Sequence, residues 1–284
     1  MDYANNIRLA AAYDGARRYL VEAIVNKVPN YNSELLLSPY LSLPDNSQLP
    51  VSLEELYQRV LESAQNANMK SAVIGHSIGG VGKLESVLHS FNPRKVLDFY
   101  GHDTDSLLAD IKDTLKPTGQ ILTEPLSIWP RYCHTILSAA RFFIQFESGK
   151  DFYNWANSFY GDKRFIAALP LIMAEEIYGI GYSLACDFLK ELGFINYGKP
   201  DVHICQIFSG LGLCHKTASP YEIQKIIVQM AEIKGVSPYN VDKVFWLIGS
   251  GDFYMHRDIG NNGKNGRMKK DFVEKMTNGS LDVS

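Results

Sequence analysis

Amphipathic segments that begin with strong helix-capping signals follow one another along most of the chain. Ser52 and Glu55 form the Ser-x-x-Glu pattern of a capping box, and apolar residues recur at helical spacing after it. Ser219 and Glu222 repeat the pattern with a proline at the first helical position, and Gly235 ends that segment. From about residue 105 onward, no strand pattern alternates with these segments. The sequence therefore predicts a mainly α protein.

Three short segments could instead be extended. They are SELLLSPYLSL (33–43), SAVIG (71–75) and KVLDFY (95–100). Such short apolar runs are compatible with strands, but they are too few to change the predicted fold class.

The charge of the chain limits how it can bind nucleic acid. Its 284 residues carry a formal net charge of −3, whereas a protein that binds DNA mainly through a basic surface is usually positive. DNA binding would therefore need main-chain N–H groups or a local basic cluster. One such cluster, HRDIGNNGKNGRMKK (256–270), mixes Arg and Lys with Gly and Asn, and we expect it to be a solvated loop.

The chain has no sequence feature of an exported or membrane protein. Its longest purely apolar stretch, FIAALPLIMA (165–174), is far shorter than a membrane span, and charges occur throughout the first 20 residues. We expect a cytoplasmic monomer without a membrane partner. The cysteines form no CxxC pair, so we expect reduced thiols and no metal site; they are Cys133, Cys186, Cys205 and Cys214.

A glycine-rich turn joins two apolar helical segments near the middle of the chain. The segments are RFIAALPLIMAEEI (164–177) and YSLACDFLKEL (182–192), and the turn between them is Tyr178-Gly179-Ile180-Gly181. Glycine permits positive φ and close approach of another backbone. The N-terminus of the second helix attracts anions through its unpaired N–H groups and its dipole. This tight αα-hairpin can therefore bind a phosphate without a lysine.

An aspartate follows the hairpin at the start of another predicted helix. Gly193 ends the preceding helix, and Asp201 comes directly after Pro200. A helix of about eleven residues is roughly 16 Å long, and the following connection of about eight residues can span up to about 26 Å. Asp201 can therefore return close to the hairpin. At a helix N-terminus it is stabilised as a carboxylate, and a role as a simple cap also fits these residues.

The order of these elements resembles the helix-hairpin-helix DNA glycosylases that carry a Gly/Pro-rich loop and a catalytic aspartate. The matching residues are the Gly-Ile-Gly turn at 179–181, the amphipathic helix, Gly198, Pro200 and Asp201. The resemblance covers roughly residues 160–250 and does not extend to the first 65. It implies a two-lobed helical fold that binds double-stranded DNA in the cleft and flips one nucleotide into a pocket. It also divides the chain into a segment of unknown role (1–65), a glycosylase core (66–250) and a basic tail (251–284).

The resemblance assigns roles to individual residues. The turn residues, with Tyr182 and Ser183, would bind a backbone phosphate. The hairpin could also bind a monovalent cation, and no cofactor is required. Asp201 would stabilise the oxocarbenium-like sugar or orient the attacking water. Bifunctional members place a Schiff-base lysine at the position of Ser183, and others carry a cysteine-ligated iron–sulfur cluster. Both are absent here, which implies a monofunctional enzyme that leaves an abasic site. The residues that would bind the phosphate are Gly179, Ile180, Gly181, Tyr182 and Ser183.

The base pocket is less well defined by the sequence. Trp129, Tyr132 and His134 precede or begin a helix and offer stacking and hydrogen bonding, and His203 lies two residues after Asp201. Packing in the core or at a hinge is the alternative role of Trp129 and Tyr132. The sequence leaves the target open between a repair lesion and a hypermodified base of the kind found in phage DNA, with a role in antiphage defence.

Two other functions compete with base excision. AVIGHSIGG (72–80) matches the G-x-S-x-G nucleophile elbow of an α/β-hydrolase, with Ser77 as the nucleophile. That esterase needs a parallel sheet, of which the chain shows little sign. A non-catalytic helix-hairpin-helix DNA-binding module would need the hairpin but not Asp201.

Overall fold

The computed structural model describes residues 3–26, 32–43, 49–65, 73–162, 165–256, 259 and 267–280. Within these ranges the regular structure consists of α-helices and a short 3₁₀ helix at Val81–Ser86, and no β-strand is formed. The mainly α prediction is confirmed. No described helix is long and apolar enough to cross a membrane.

The chain divides into two compact units. The terminal unit combines Met1–Pro44 with Gly193–Ser284, and the central unit is Asp45–Leu192. The functional boundaries predicted at residues 65 and 250 stay a prediction. The helices of the terminal unit are α1 (Tyr3–Val25), α2 (Ser33–Leu41), α11 (Val202–Gly210), α12 (Pro220–Lys234), α13 (Pro238–Ser250) and α14 (Arg267–Thr277). Those of the central unit are α3 (Leu53–Ala64), α4 (Val73–Ile78), α5 (Pro93–Tyr100), α6 (Thr104–Leu115), α7 (Ile128–Phe143), α8 (Gly149–Tyr160), α9 (Ala168–Glu176) and α10 (Tyr182–Glu191).

The described residues of the three segments that could be extended are helical apart from Ser42 and Leu43, so the extended interpretation is wrong. Asn32 caps α2 by accepting bonds from two main-chain N–H groups, and Asn92 caps α5 by accepting one from the Lys95 N–H, with Pro93 at the first position of the helix. These caps satisfy N–H groups that a strand would leave to a sheet partner. In the third segment, Val73–Gly75 belongs to α4, while residues 71 and 72 lie outside the described residues.

The predicted capping boxes are present in the structure. Ser52 Oγ accepts a bond from the Glu55 N–H, and the Glu55 carboxylate accepts one from the Ser52 N–H. Ser219 and Glu222 make the same reciprocal pair at the start of α12. The cluster expected to be a loop at 256–270 is helical from Arg267 onward, and most of the rest of it lies outside the described residues.

Each unit is built around one largely buried helix. In the terminal unit, α13 packs against α1, α2, α11, α12 and α14, and Phe245 meets Phe208 edge-on at 5.0 Å between ring centroids. In the central unit, α7 packs against α3, α5, α6 and α9, and Tyr57 donates a bond to the Ile136 carbonyl. Burial of such side chains contributes about 1.5–3 kcal/mol each. The two core helices therefore fix the positions of the elements that carry the candidate site.

Candidate functional site

The predicted αα-hairpin is formed by α9 and α10 in the central unit. Helix α9 ends at Glu176, and the Ile180 N–H donates to the Ile177 carbonyl at 3.1 Å to close the turn. The Tyr178 N–H donates to Ser138 Oγ on α7 at 2.9 Å. The turn is therefore held both by its own backbone and by the core helix beneath it.

Gly179 is required by the fold. Its φ is +81°, which side chains rarely adopt, and a Cβ here would lie 2.7 Å from Thr135 Oγ1 on α7. Both the backbone conformation and the close approach of α7 exclude a side chain at this position.

Gly181 is required by neither conformation nor packing. It is the N-cap of α10 with φ −81° and ψ 165°, an extended conformation open to any residue. A Cβ at Gly181 would meet no atom within 4 Å. No side chain caps α10 from this position, and its first turn contains no acidic residue. The exposed turn thus places the N-terminus of α10, with the positive end of its dipole, at the surface.

The other three residues assigned to the phosphate have different environments. The side chain of Ile180 is 2% exposed and that of Tyr182 is 8% exposed, and the Tyr182 hydroxyl donates to the Ala167 carbonyl. These two side chains anchor the hairpin, so only their main chain can face a ligand. Ser183 is half-buried in the first turn of α10.

The residues predicted for the base pocket on α7 separate into buried and exposed ones. Trp129 and Tyr132 are buried and pack edge-on at 6.1 Å, and the Tyr132 hydroxyl donates to the Leu61 carbonyl. Burial raises the pKa of Tyr132 well above its ordinary value. This environment is typical of packing. His134 is exposed, and its ring lies 5.4 Å from that of Tyr178, beside the hairpin turn.

Asp201 is the N-cap of α11 in the terminal unit. Its Oδ1 accepts bonds from the N–H groups of His203 at 2.8 Å and Ile204 at 3.2 Å. Both bonds use the same oxygen, and Oδ2 has no hydrogen-bond partner among the described residues. The carboxyl group is therefore fixed by one oxygen while the other remains available to a ligand. The predicted approach of Asp201 to the hairpin stays a prediction.

The surroundings of Asp201 disfavour its charged form. Burial is the largest influence and raises the pKa of the carboxyl, and the nearby carboxyl of Asp242 raises it further. The Ile204 N–H, His203 and Lys199 act in the opposite direction but do not outweigh them. A poorly solvated carboxylate interacts strongly with a positive charge that develops beside it, because little water screens the attraction.

His203 lies against α13 in the first turn of α11. A Cβ at Gly249 would lie 2.4 Å from the Cβ of His203, so only glycine allows the two helices this close. The buried Nδ1 of His203 has no hydrogen-bond partner among the described residues. Burial lowers the pKa of His203, although the Asp201 carboxyl raises it, and the ring therefore favours its neutral form. Its assignment to the base pocket stays a prediction.

Replacing Gly249 should destabilise the terminal unit. Alanine normally stabilises a helix interior relative to glycine by about 1 kcal/mol, but here the methyl group must push α11 away from α13, and overpacking costs about 1–3 kcal/mol. We expect Gly249→Ala to lower the melting temperature measured by circular dichroism. Gly161→Ala is the matched control, because a Cβ there has only an ordinary contact at 3.8 Å. A melting temperature for Gly249→Ala at or above that of the wild type would contradict the close packing.

The loop before Asp201 is held by residues that the sequence analysis did not identify. Gln224 is fully buried in α12; its Oε1 accepts a bond from the Gly198 N–H, and its Nε2 donates to the Asn196 carbonyl. A Cβ at Gly198 would lie 3.0 Å from Ile227 Cγ2 and 3.1 Å from the Cβ of Asp242. The sequence signal that could have identified Gln224 and Asp242 is a polar residue within an apolar helical segment. Only the packing of the helices shows what the two residues contact.

Ser77 does not have the geometry of a nucleophile elbow. It lies in helix α4, and its hydroxyl donates to the Ile74 carbonyl at 2.7 Å. The described part of the chain contains no parallel sheet that could present it. The esterase function is therefore not supported.

The cysteines and acidic residues provide no metal centre in the described ranges. The four cysteines form no disulfide; Cys133 and Cys186 are buried, and Cys205 and Cys214 are partly exposed. No group of three His, Cys, Asp or Glu side chains among the described residues is arranged to hold a metal ion.

Comparisons with known proteins give one structural likeness. The chain is similar to the 8-oxoguanine glycosylase/lyase of Methanocaldococcus jannaschii, whose crystal structure contains a 15mer DNA with 8-oxoguanine. The two chains are 17% identical, the match covers 82% of this chain and 98% of that one, and the TM-score is 0.48. No protein-family model and no curated protein matches the chain.

Proposed function

We propose that this protein is a monofunctional DNA N-glycosylase that uses Asp201 to excise a damaged or modified base from double-stranded DNA. The observation that carries the proposal is the environment of Asp201. Its carboxyl group is half-buried, its pKa is raised, and Oδ2 remains available while Oδ1 caps α11. A residue that served only as a cap would not need burial beside a second carboxyl group.

Gly181 supports DNA as the substrate. Neither its backbone conformation nor its packing requires glycine, and the absence of a side chain there lets a ligand approach the main chain closely. The N-terminus of α10 favours an anion such as a phosphate. This route to DNA binding does not need a basic surface, which is consistent with the net charge of −3.

The proposed reaction is hydrolysis of the bond between the base and C1′ of the sugar. The nucleotide must first leave the base stack, since the bond is inaccessible inside the duplex. As the base departs with the bonding electron pair, positive charge develops on C1′ and the ring oxygen, and the Asp201 carboxylate stabilises it. Water then adds to C1′, and the proton that it loses balances the charge of the released base. The products are a free base and an abasic site.

The proposed absence of lyase activity follows from the serine at position 183. A hydroxyl group cannot form the imine with C1′ that precedes strand cleavage, whereas a lysine at this position can. We expect the wild type to leave alkali-labile sites without nicking the strand and to give no adduct with DNA under borohydride.

Ser183→Lys should introduce a covalent intermediate. Its amine would attack C1′, and borohydride would reduce the resulting imine to a stable protein–DNA adduct visible on a denaturing gel. The control is Ser183→Met, which has similar length without the amine. An equal adduct in the wild type, or strand breaks without alkali, would contradict the monofunctional assignment.

The substrate is tested with a panel of duplexes that carry alkylated, oxidised, deaminated, hydroxymethylated or glucosylated bases, together with modified phage DNA. Each reaction is divided and analysed with and without hot alkali. Cleavage of one substrate class only after alkali would identify the target and separate a repair role from a defence role. A non-catalytic DNA-binding module would instead bind these duplexes without releasing any base.

A further inference from the structure

We propose that Asp242 is a positioning residue that forms an acid pair with Asp201 and controls the protonation state of that catalytic carboxyl. The proposal rests on the proposed function, because it concerns how Asp201 is prepared for base excision. It assigns no contact with the substrate to Asp242.

The segment that carries Asp201 lies along one face of α13. Before Asp201, the backbone at Gly198 packs so closely on Asp242 that a Cβ would lie 3.1 Å from the Asp242 Cβ. After Asp201, His203 packs against Gly249 with an equivalent distance of 2.4 Å. Asp242 and Gly249 are seven residues apart, about two helical turns, and therefore share a face of the helix. The chain just before and just after Asp201 therefore packs on the face of α13 that carries Asp242.

The position of Asp242 is unusual for a carboxyl group. It is 1% exposed and lies between core residues of α13, including Val241 and Val244. A negative charge on Asp242 near that of Asp201 in a poorly solvated region is unfavourable, so it disfavours the charged form of Asp201. The bonds of Gln224 to Asn196 and Gly198 hold the backbone that packs against Asp242.

The charged groups around Asp201 give the direction of the effect. Asp242 on α13 raises the pKa of Asp201, second only to burial, whereas His203 on α11 and Lys199 in the preceding loop lower it. Burial, and after it the Asp201 carboxyl, raises the pKa of the neighbouring Cys205 thiol. Lys269 on α14 acts on His203. Base excision needs Asp201 as the carboxylate. The rate of base excision falls on the acidic side as Asp201 becomes protonated, and this acid limb of the pH profile should therefore lie at higher pH than for an isolated aspartate.

The test is the pH dependence of the single-turnover rate of base release. Asp242→Asn keeps the size of the side chain and removes its charge, so the acid limb should move to lower pH while the plateau stays within about threefold of the wild type, or roughly 0.7 kcal/mol. Asp242→Glu should restore the limb to higher pH. Glu232→Gln, which removes an exposed charge from the same unit, is the control for net charge.

The outcomes separate this proposal from the proposed function. A plateau retained with an unmoved acid limb would overturn the role of Asp242, as would a loss of rate at every pH like that of Asp201→Asn. No base release by the wild type would instead overturn the glycosylase function. If Asp242→Asn does not fold, ¹³C NMR of labelled aspartates compares the wild type with Asp201→Asn. Two coupled titration steps that become one in the variant support the pair, and independent titration in the wild type overturns it.

Discussion

Asp201→Asn should abolish base excision without unfolding the protein. Asparagine caps a helix as well as aspartate does, so the bonds to the His203 and Ile204 N–H groups can be kept. It carries no charge to stabilise the oxocarbenium-like sugar. We expect the single-turnover rate to fall by about 10²- to 10³-fold, the scale of loss for a preorganised electrostatic contact to a transition state. Binding to an undamaged duplex should stay close to that of the wild type.

The same substitution should stabilise the protein at neutral pH. The Asp201 pKa is raised above its ordinary value of 3.8, so the folded state holds this proton more tightly than the unfolded chain. The contribution of Asp201 to the free energy of unfolding is therefore complete below pH 3.8 and is lost as the pH rises through the raised pKa. Asparagine avoids that loss. Denaturant unfolding at neutral pH should thus give a larger free energy of unfolding for Asp201→Asn, and the difference should shrink in acid.

A stable but inactive variant distinguishes catalysis from structure. If Asp201 were only a helix cap, Asp201→Asn would retain the rate of base release. If the variant were inactive because it was misfolded, its free energy of unfolding would fall instead of rise. Either result would contradict the assigned role.

Gly181→Asp should block DNA binding while preserving the hairpin. The extended backbone at Gly181 and the empty space around it accept a side chain, and aspartate is a favourable N-cap. Its carboxylate would occupy the position where a phosphate is proposed to meet the N-terminus of α10. Like-charge repulsion at a binding site costs several kcal/mol, so we expect Kd to rise by roughly 30-fold or more, equivalent to about 2 kcal/mol.

Gly181→Asn is the matched control for Gly181→Asp. Both side chains have nearly the same size and capping ability, so the difference in Kd between them isolates the charge. The difference between Gly181→Asn and the wild type measures the effect of bulk. Fluorescence anisotropy with a labelled duplex, performed in the Asp201→Asn background to prevent turnover, gives all three values. Equal DNA affinity for the three proteins, with unchanged melting temperatures, would show that the phosphate does not bind at this turn.

Features encoded within a few neighbouring residues could be predicted from the sequence. The capping boxes at Ser52 and Ser219 require only residues three positions apart, and the structure contains both. The glycine turn and the cap at Asp201 are local in the same sense. The extended interpretation of three short segments was wrong, because their apolar composition also fits a helix. The helix caps at Asn32 and Asn92 are the local signals that favour a helix in two of them.

The supports of the candidate site could not be predicted in this way. Gln224, Asp242 and Gly249 reach the Asp201 segment from helices that follow it by about 20 to 50 residues, and their contacts arise only from packing. Nothing adjacent to Gly249 in the sequence indicates that His203 lies against it. The distinction between Gly179, which the fold requires, and Gly181, which it does not, also needs the backbone angles and the neighbouring atoms.

Detection of the free base by mass spectrometry tests the central claim most directly. Duplexes and phage DNA that carry candidate modified bases are incubated with the wild type or with Asp201→Asn, and the small molecules are separated and analysed. The account predicts that the wild type releases one class of modified base, with an equal amount of abasic sites in the DNA, and that Asp201→Asn releases none above the background. Release by both proteins at the same rate would contradict the catalytic role of Asp201, and release by neither from any substrate would contradict the glycosylase function itself.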